Sequence, residues 1–449
     1  VLADAIQHFH DVLTPQVAAD AQAHLDDQNK SRHMLFGDRP VCSVLRPRFI
    51  SREQYCFLCS AVKRLAPAFA KIYSAGMADA EFRKQFHLTP GEEELIAFDP
   101  GFADPSPTSR LDSFFVSERE LKFTEYNSET PAGAGFNDAL TDMFWGSPAV
   151  AEFRRRYQVW PLPARPHVLD GLLASFAEWA GNSSSKPKIA IVDWRDVPTV
   201  VEFELFQRFF IENGYECRIV DPRDIEYTSG TLRCGAYAFN LIYKRVLISE
   251  LIDRGGMNHP IVRAVRDGKC CLVNGFRCKL LFKKASFAVL GDERNAKLLT
   301  PDEAAAVREF VPWTRVVEER KTRFGGQPID LVPFALANRE KLVLKPNDDY
   351  GGHGIVLGWT VDAANWEKSV RHALTTPHVV QEKVNLPCEV FPSVENEKLQ
   401  FIDRMLDTNP YVAFSTHMDG CLTRISTEAL LNVTAGGGST VPTMIIEPR

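Results

Sequence analysis

Lys345 and the glycines that follow it are the residues here with the clearest chemistry. The apolar run Leu342-Val343-Leu344 leads into Lys345-Pro346-Asn347-Asp348-Asp349-Tyr350-Gly351-Gly352-His353-Gly354. A lysine on a strand supplies a fixed positive charge. Three glycines in four positions let backbone N–H groups close over phosphate oxygens without a side-chain clash. That is a way to hold a polyphosphate. A glycine-rich hairpin turn has the same local sequence, so the motif needs support from elsewhere in the chain.

Support comes from a set of oxygen donors far earlier. Residues 111–117 and 121–127 read as two strands joined at Glu118-Arg119. A turn centred there sets Asp112 opposite Glu125, while Glu125 and Asn127, two apart on one strand, share a face. Glu118-Arg119 lacks the glycine of a tight loop, so the spacing predicts a four-residue loop with the same centre. Two carboxylates and an amide oxygen are hard donors of the kind Mg2+ takes alongside substrate phosphates. A solvated polar patch on a hairpin is the alternative. Arg110 falls on the same face, where a guanidinium can stabilise charge on a transferring phosphoryl group.

Taken together, these residues carry a resemblance. Arg110-x-Asp112 followed by Glu125-Tyr126-Asn127-Ser128-Glu129-Thr130-Pro131 resembles the ligase domain of glutathionylspermidine synthase, and more broadly the circularly permuted ATP-grasp family. Residues 242–246 and 272–274 resemble the middle lobe of that family, 345–354 its phosphate loop, and 424–442 its C-terminal catalytic segment. Metal ligands ahead of the phosphate lysine is the order a permuted chain would show.

The resemblance implies an α/β (α+β) ATP-grasp fold, circularly permuted, with a Rossmann-like pre-ATP-grasp lobe. It implies an ATP-dependent carboxylate–amine ligase that forms an amide or peptide-like bond through an acylphosphate. Its cofactors would be ATP and Mg2+, and its substrates small-molecule or peptide carboxylates and amines. By resemblance, Asp112, Glu125 and Asn127 hold Mg2+, and Lys345 with Tyr350, Gly351, Gly352, His353 and Gly354 holds the phosphates. Gln381, Glu382 and Val384 mark the adenine-side hinge. Arg110 and Arg424 act near the transferred phosphate, and Asn432 belongs to the same segment. A phosphotransferase on the same scaffold, or a nucleotide sensor without turnover, are the alternatives; His353 and Asp348-Asp349 are the features that favour the sensor.

The elements that must position these groups follow from hydrophobic period. The 449 residues, 45% hydrophobic and 24% charged, suffice for two or three domains. They divide into 1–184 (a helical region plus the metal-ligand hairpin), 185–290 (a Rossmann-like lobe) and 291–449 (an ATP-binding lobe and the C-terminal segment). Helices are predicted over 3–27, 52–76 and 78–86. A β-α-β unit follows, with strands at 189–193 and 217–221 around a helix at 200–213, then strands at 241–246 and 271–274. No GxGxxG accompanies it, so no nicotinamide or flavin cofactor is expected. Beyond 300 the pattern predicts helices at 302–310, 330–338 and 363–374, and strands at 341–345, 355–359 and 379–383. Antiparallel strands over 389–448 come last, with a turn at 436–439.

A net charge of −6 gives no bulk reason to bind nucleic acid or an anionic membrane. No apolar run approaches the roughly 20 residues of a spanning helix, and the chain reads as cytoplasmic. The ten cysteines are scattered and read as reduced thiols. Cys56-x-x-Cys59 reads as a buried helix face, since a structural zinc site needs four ligands, and Cys270-Cys271 reads as core. His87, His259, His372 and His417 have no partners at metal-ligand spacing and read as structural. For an acceptor, Arg195 after one parallel strand and Lys244-Arg245 at the end of another offer cations that clamp a carboxylate or serve as salt-bridge partners.

Overall fold

The hairpin that carries Arg110, Asp112, Glu125 and Asn127 is the central fold element, and its strands run Thr108–Ser117 and Glu120–Asn127. The computed structural model describes residues 1–36, 39–181, 185–428, 431 and 438–449. Asp112 pairs with Glu125, and Arg110 with Asn127, in the expected register. The loop is Glu118-Arg119 alone rather than four residues. Two compensating register shifts, after Asp112 and after Phe115, supply the twist that glycine gives other tight hairpins. The first shift leaves Thr124 out of the pairing.

One face of this hairpin is apolar and packs on a long helix, Arg52–Ala78, started by a capping box between Ser51 and Gln54. Leu58, Val62, Leu65 and Phe69 meet Leu111, Phe115, Phe123 and Tyr126 in one core. The polar face is thereby turned the other way. Beyond Thr108–Ser117 the sheet continues through Asn409–Ala413, His417–Ser426, Lys398–Leu406 and Cys388–Glu395. The strand Ser439–Pro448 leaves this sheet to pair in parallel with Arg48–Ser51 and antiparallel with Tyr157–Pro161.

The β-α-β pattern forms a parallel sheet in the order Cys271–Val273, Leu241–Lys244, Ile189–Val192, Cys217–Val220. Helices cover both of its faces, which explains its nearly uninterrupted apolar strands. A third sheet, Thr314–Val316, His378–Glu382, Leu342–Pro346 and Val356–Leu357, is antiparallel and carries Lys345. Helices Leu331–Ala337 and Ala363–Ala373 back it through Trp366, whose indole N–H donates to the Ala335 carbonyl at 2.9 Å.

Several elements differ from expectation. The helix over 3–27 is two helices, Leu2–Val12 and Pro15–Ser31, divided where Thr14 caps a helix opened by Pro15. The segment 78–86 is one short turn, Ala80–Arg83, followed by a 3-10 turn. A small hairpin, Lys321–Phe324 with Gln327–Asp330, precedes the helix expected at 330. Only Val356–Leu357 of 355–359 is strand. Cys56 is exposed rather than on a buried face, while Cys270 and Cys271 are core. Residues 436–437 of the expected turn lie outside the described residues. Among the described residues, no helix is long and apolar enough to cross a membrane.

The three sheets meet over a buried lattice of charge. Glu129 pairs with Lys279 at 3.0 Å and Lys244 at 3.5 Å, and also accepts from the Ile248 backbone N–H. Lys279 and Lys283 each reach Asp348 at 2.7 Å, and both contact Glu92. The three lysines and three carboxylates balance in sign. Removing one charge strands the rest in a low-dielectric interior. Glu129→Gln is therefore expected to lower the unfolding free energy by about 3–5 kcal/mol, read from urea denaturation midpoints.

Candidate active site

The unpaired Thr124 is where the hairpin meets the Lys345 strand. A bulge re-aims the backbone, and the freed Thr124 carbonyl accepts from Lys345 Nζ at 3.2 Å. Gln381 Oε1 accepts from the same ammonium at 2.8 Å. Lys345 and Glu125 thus lie on the two sides of one cleft, of about 950 Å3 including its open mouth. The cleft brings together Arg110, Asp112, Glu125 and Asn127 from the hairpin, Lys345, and Arg424 from the strand His417–Ser426. Gly351, Gly352, Gln381, Glu382 and Val384 also line it.

Asp112 is the electrostatic centre. Arg110 donates to both its oxygens, at 2.7 and 3.2 Å, Arg424 to one at 2.6 Å and the Asn127 amide to the other at 3.0 Å. Burial alone would raise its carboxyl, but the two guanidinium groups win and hold it down to about 2. Arg424 is itself fixed by Asp407, which accepts from its Nε and its backbone N–H, each at 2.6 Å. Glu125 pairs with Lys284 at 3.1 Å. Four cations, Arg110, Lys284, Lys345 and Arg424, gather around the two carboxylates Asp112 and Glu125. The arrangement attracts an anion and can spread charge over several donors. Phe114, Val343, Leu357, Trp359, Leu386 and Leu431 give the same cleft an apolar lining that suits a flat ring.

Not every expected residue comes to the cleft. Tyr350 is half exposed at the rim, with its hydroxyl 3.5 Å from Glu250, and His353 packs edge-on against it. Gly354 faces a different groove with Pro346 and His378. Its φ of +67° demands glycine, and any Cβ at that position would lie 2.6 Å from the Pro346 ring. Asn432 lies outside the described residues. Asp348 is neutralised by Lys279 and Lys283, so its charge is already paired within the protein. The cations suggested for an acceptor are engaged as ion pairs: Arg195 with Asp221 and Asp224, Lys244 with Glu129, and Arg245 with Glu202.

Sequence reasoning missed Lys284 and Asp407. Lys279, Lys283 and Lys284 in an otherwise apolar segment were a signal, because buried lysines are rare without partners. Asp407 had no such mark; only the sheet brings it to Arg424.

No family model and no curated protein matches the chain. Its fold is similar to that of a glutathione synthetase-like effector, GSS30, from Globodera pallida in its apo form. The TM-score is 0.58 at 13% sequence identity, over 96% of this chain and 97% of that one. A putative gamma-glutamylcysteine synthetase from Methylobacillus flagellatus matches at a TM-score of 0.41 and 11% identity over 85% of each chain, too distant to carry an argument. The fold is α/β and similar to that of the glutathione synthetase-like effector.

Lys345 gives a pH test. Burial pushes its ammonium down to about 8, against the pull of Glu125 and Asp112. Between about pH 8 and the ordinary lysine value of 10.5 the unfolded chain holds a proton that the folded chain has released. Stability from this group therefore rises with pH across that window. The unfolding free energy of the native chain relative to Lys345→Met should climb as pH passes from neutral to above about 9, and a flat difference would reject the shift.

Proposed function

We propose that this chain is an ATP- and Mg2+-dependent carboxylate–amine ligase of the circularly permuted ATP-grasp type, similar to glutathionylspermidine synthase. The observation that carries the reading is the single cleft in which the oxygen donors of the hairpin, two arginines and Lys345 converge. The donor set Asp112, Glu125 and Asn127 is oxygen only, which is what Mg2+ takes. When bound, the ion would neutralise charge on the terminal phosphates. Asp112 is held by Arg110 and Arg424, and Glu125 by Lys284, so a polyphosphate that draws off the cations would free carboxylate oxygens for the metal.

In this reading Lys345, with Gly351 and Gly352, holds the phosphates, and Tyr350, His353 and Gly354 complete the loop at the rim. Gln381 steadies Lys345, while Glu382 and Val384 meet the base and ribose beside the apolar lining. Arg110 and Arg424 stabilise the transferring phosphoryl group, Asp407 positions Arg424, and Asn432 is assigned to the same segment. A substrate carboxylate oxygen attacks the γ-phosphorus as the bond to the ADP oxygen breaks. The acylphosphate then has phosphate as its leaving group. An amine nitrogen attacks the acyl carbon, phosphate departs and the nitrogen loses a proton to solvent. Positioning and charge neutralisation dominate such transfers, and no His or Cys nucleophile is required.

The test supplies ATP, Mg2+, pooled amino acids and short peptides, with hydroxylamine as the trapping amine. An acylphosphate yields a hydroxamate only when ATP and an acid are both present. A phosphotransferase on the same scaffold would instead leave a phosphorylated hydroxyl and no hydroxamate, and nucleotide binding without any turnover would indicate a sensor. Arg424→Lys should lower turnover by about 100-fold or more, the scale of losing one preorganised charge donor, with nucleotide affinity by calorimetry much less affected.

A further inference from the structure

Away from the cleft, two imidazoles and a carboxylate converge where the helix Arg165–Trp179 starts against the strand His417–Ser426. His167 Nε2 is 2.6 Å from Asp419 Oδ2, and His417 Nε2 is 3.7 Å from the same oxygen. All three ligand atoms lie within 4.8 Å of one another. This corrects the reading of His417 as a histidine without metal-spaced partners. His417 and Asp419 are two apart on a strand and share a face, and the third member comes from a distant helix.

We propose that His167, His417 and Asp419 form a binding site for a borderline transition-metal ion of the Zn2+ class. The chemistry of the donors sets the class: two imidazoles and one carboxylate suit Zn2+ and its neighbours rather than the all-oxygen ions Mg2+ and Ca2+. The spacing agrees. Metal–ligand bonds of about 2.0–2.1 Å at tetrahedral angles place donor atoms about 3.3 Å apart. The observed 2.6 and 3.7 Å bracket that value, so rotamer-scale adjustment suffices. His417 is 58% exposed, which gives an ion an entry path and leaves a coordination position for water. A small cavity beside His167 and Asp419, lined by Ala164, Val168 and Tyr411, has room for about one water-sized particle.

The backbone around the three residues is fixed independently of any ion. The N–H groups of Ala164 and Arg165 donate to Asp138 at 2.8 and 3.0 Å, which pins the helix start. Gly420, at φ +77°, lets Ala164 approach so closely that a Cβ there would sit 2.7 Å from the alanine methyl. His167 is thereby held over the Asp419 strand. That strand also carries Arg424, so the ion would brace the element that delivers an arginine to the cleft without touching the cleft itself.

The experiment uses the full chain stripped with a chelator, titrated with Zn2+ and followed by thermal unfolding, and with Co2+ followed by visible absorption. Zn2+ should raise the unfolding temperature in a saturable way, Co2+ should give the intense bands of a low-coordinate site, and Mg2+ should do neither. His417→Ala removes a mostly exposed side chain and should weaken Zn2+ binding by at least about tenfold, as should Asp419→Asn. A double Cys56→Ser, Cys388→Ser variant should bind as the native chain does, since those exposed thiols are the obvious competing ligands. The proposal is overturned if Zn2+ leaves the native chain unshifted, if His417→Ala binds with native affinity, or if the serine variant loses the ion.

Discussion

Five buried charges and the partly buried Asp348 hold the interior of this protein together. Lys244, Lys279 and Lys283 face Glu92, Glu129 and Asp348 where the parallel sheet, the hairpin exit and the glycine loop meet. Each charge taken alone would be expelled from such a place, because desolvation outweighs a single pairwise attraction. Only the complete set is tolerable, and only with its members within hydrogen-bond reach. The lattice therefore acts less as a source of stability than as a constraint on geometry. It fixes Glu129 two residues beyond Asn127 and Asp348 three beyond Lys345, so the two halves of the cleft share one foundation.

The same economy of charge governs the cleft surface. Asp112 gathers Arg110, Arg424 and Asn127; Glu125 holds Lys284; Asp407 steadies Arg424 from behind. The cations are already arranged around negative charge that belongs to the protein. A ligand with its own negative charge meets preorganised donors and needs only an exchange of partners, which keeps reorganisation small. Lys345 is the exception. Burial opposes ionisation of Arg110 and Arg424 too, but only at Lys345 does it outweigh the nearby carboxylates, so its charge depends on what lies across the cleft.

Much of this was legible where the signal is local. The Asp112–Glu125 register followed from a turn centre and the period of two, and the parallel sheet from short apolar runs alternating with a helix. The strand ahead of Lys345 was equally plain. What escaped depends on contacts between remote segments. The Thr124 bulge that meets Lys345 has no sequence mark, and the hairpin loop closed tighter than its residues advertise because bulges supplied its twist. Lys284 and Asp407 matter only through the partners that folding gives them, and His167 meets His417 and Asp419 across most of the chain. The break at Thr14-Pro15 was a local signal passed over.

The strand Ser439–Pro448 lies between Arg48–Ser51 and Tyr157–Pro161 while its first half zips to His417–Ser426. A nascent chain emerging from the ribosome has made both flanking strands long before the one that joins them exists. Their edges must wait, unpaired, until residues 439–448 have been made, so this sheet closes only through contacts of large sequence separation.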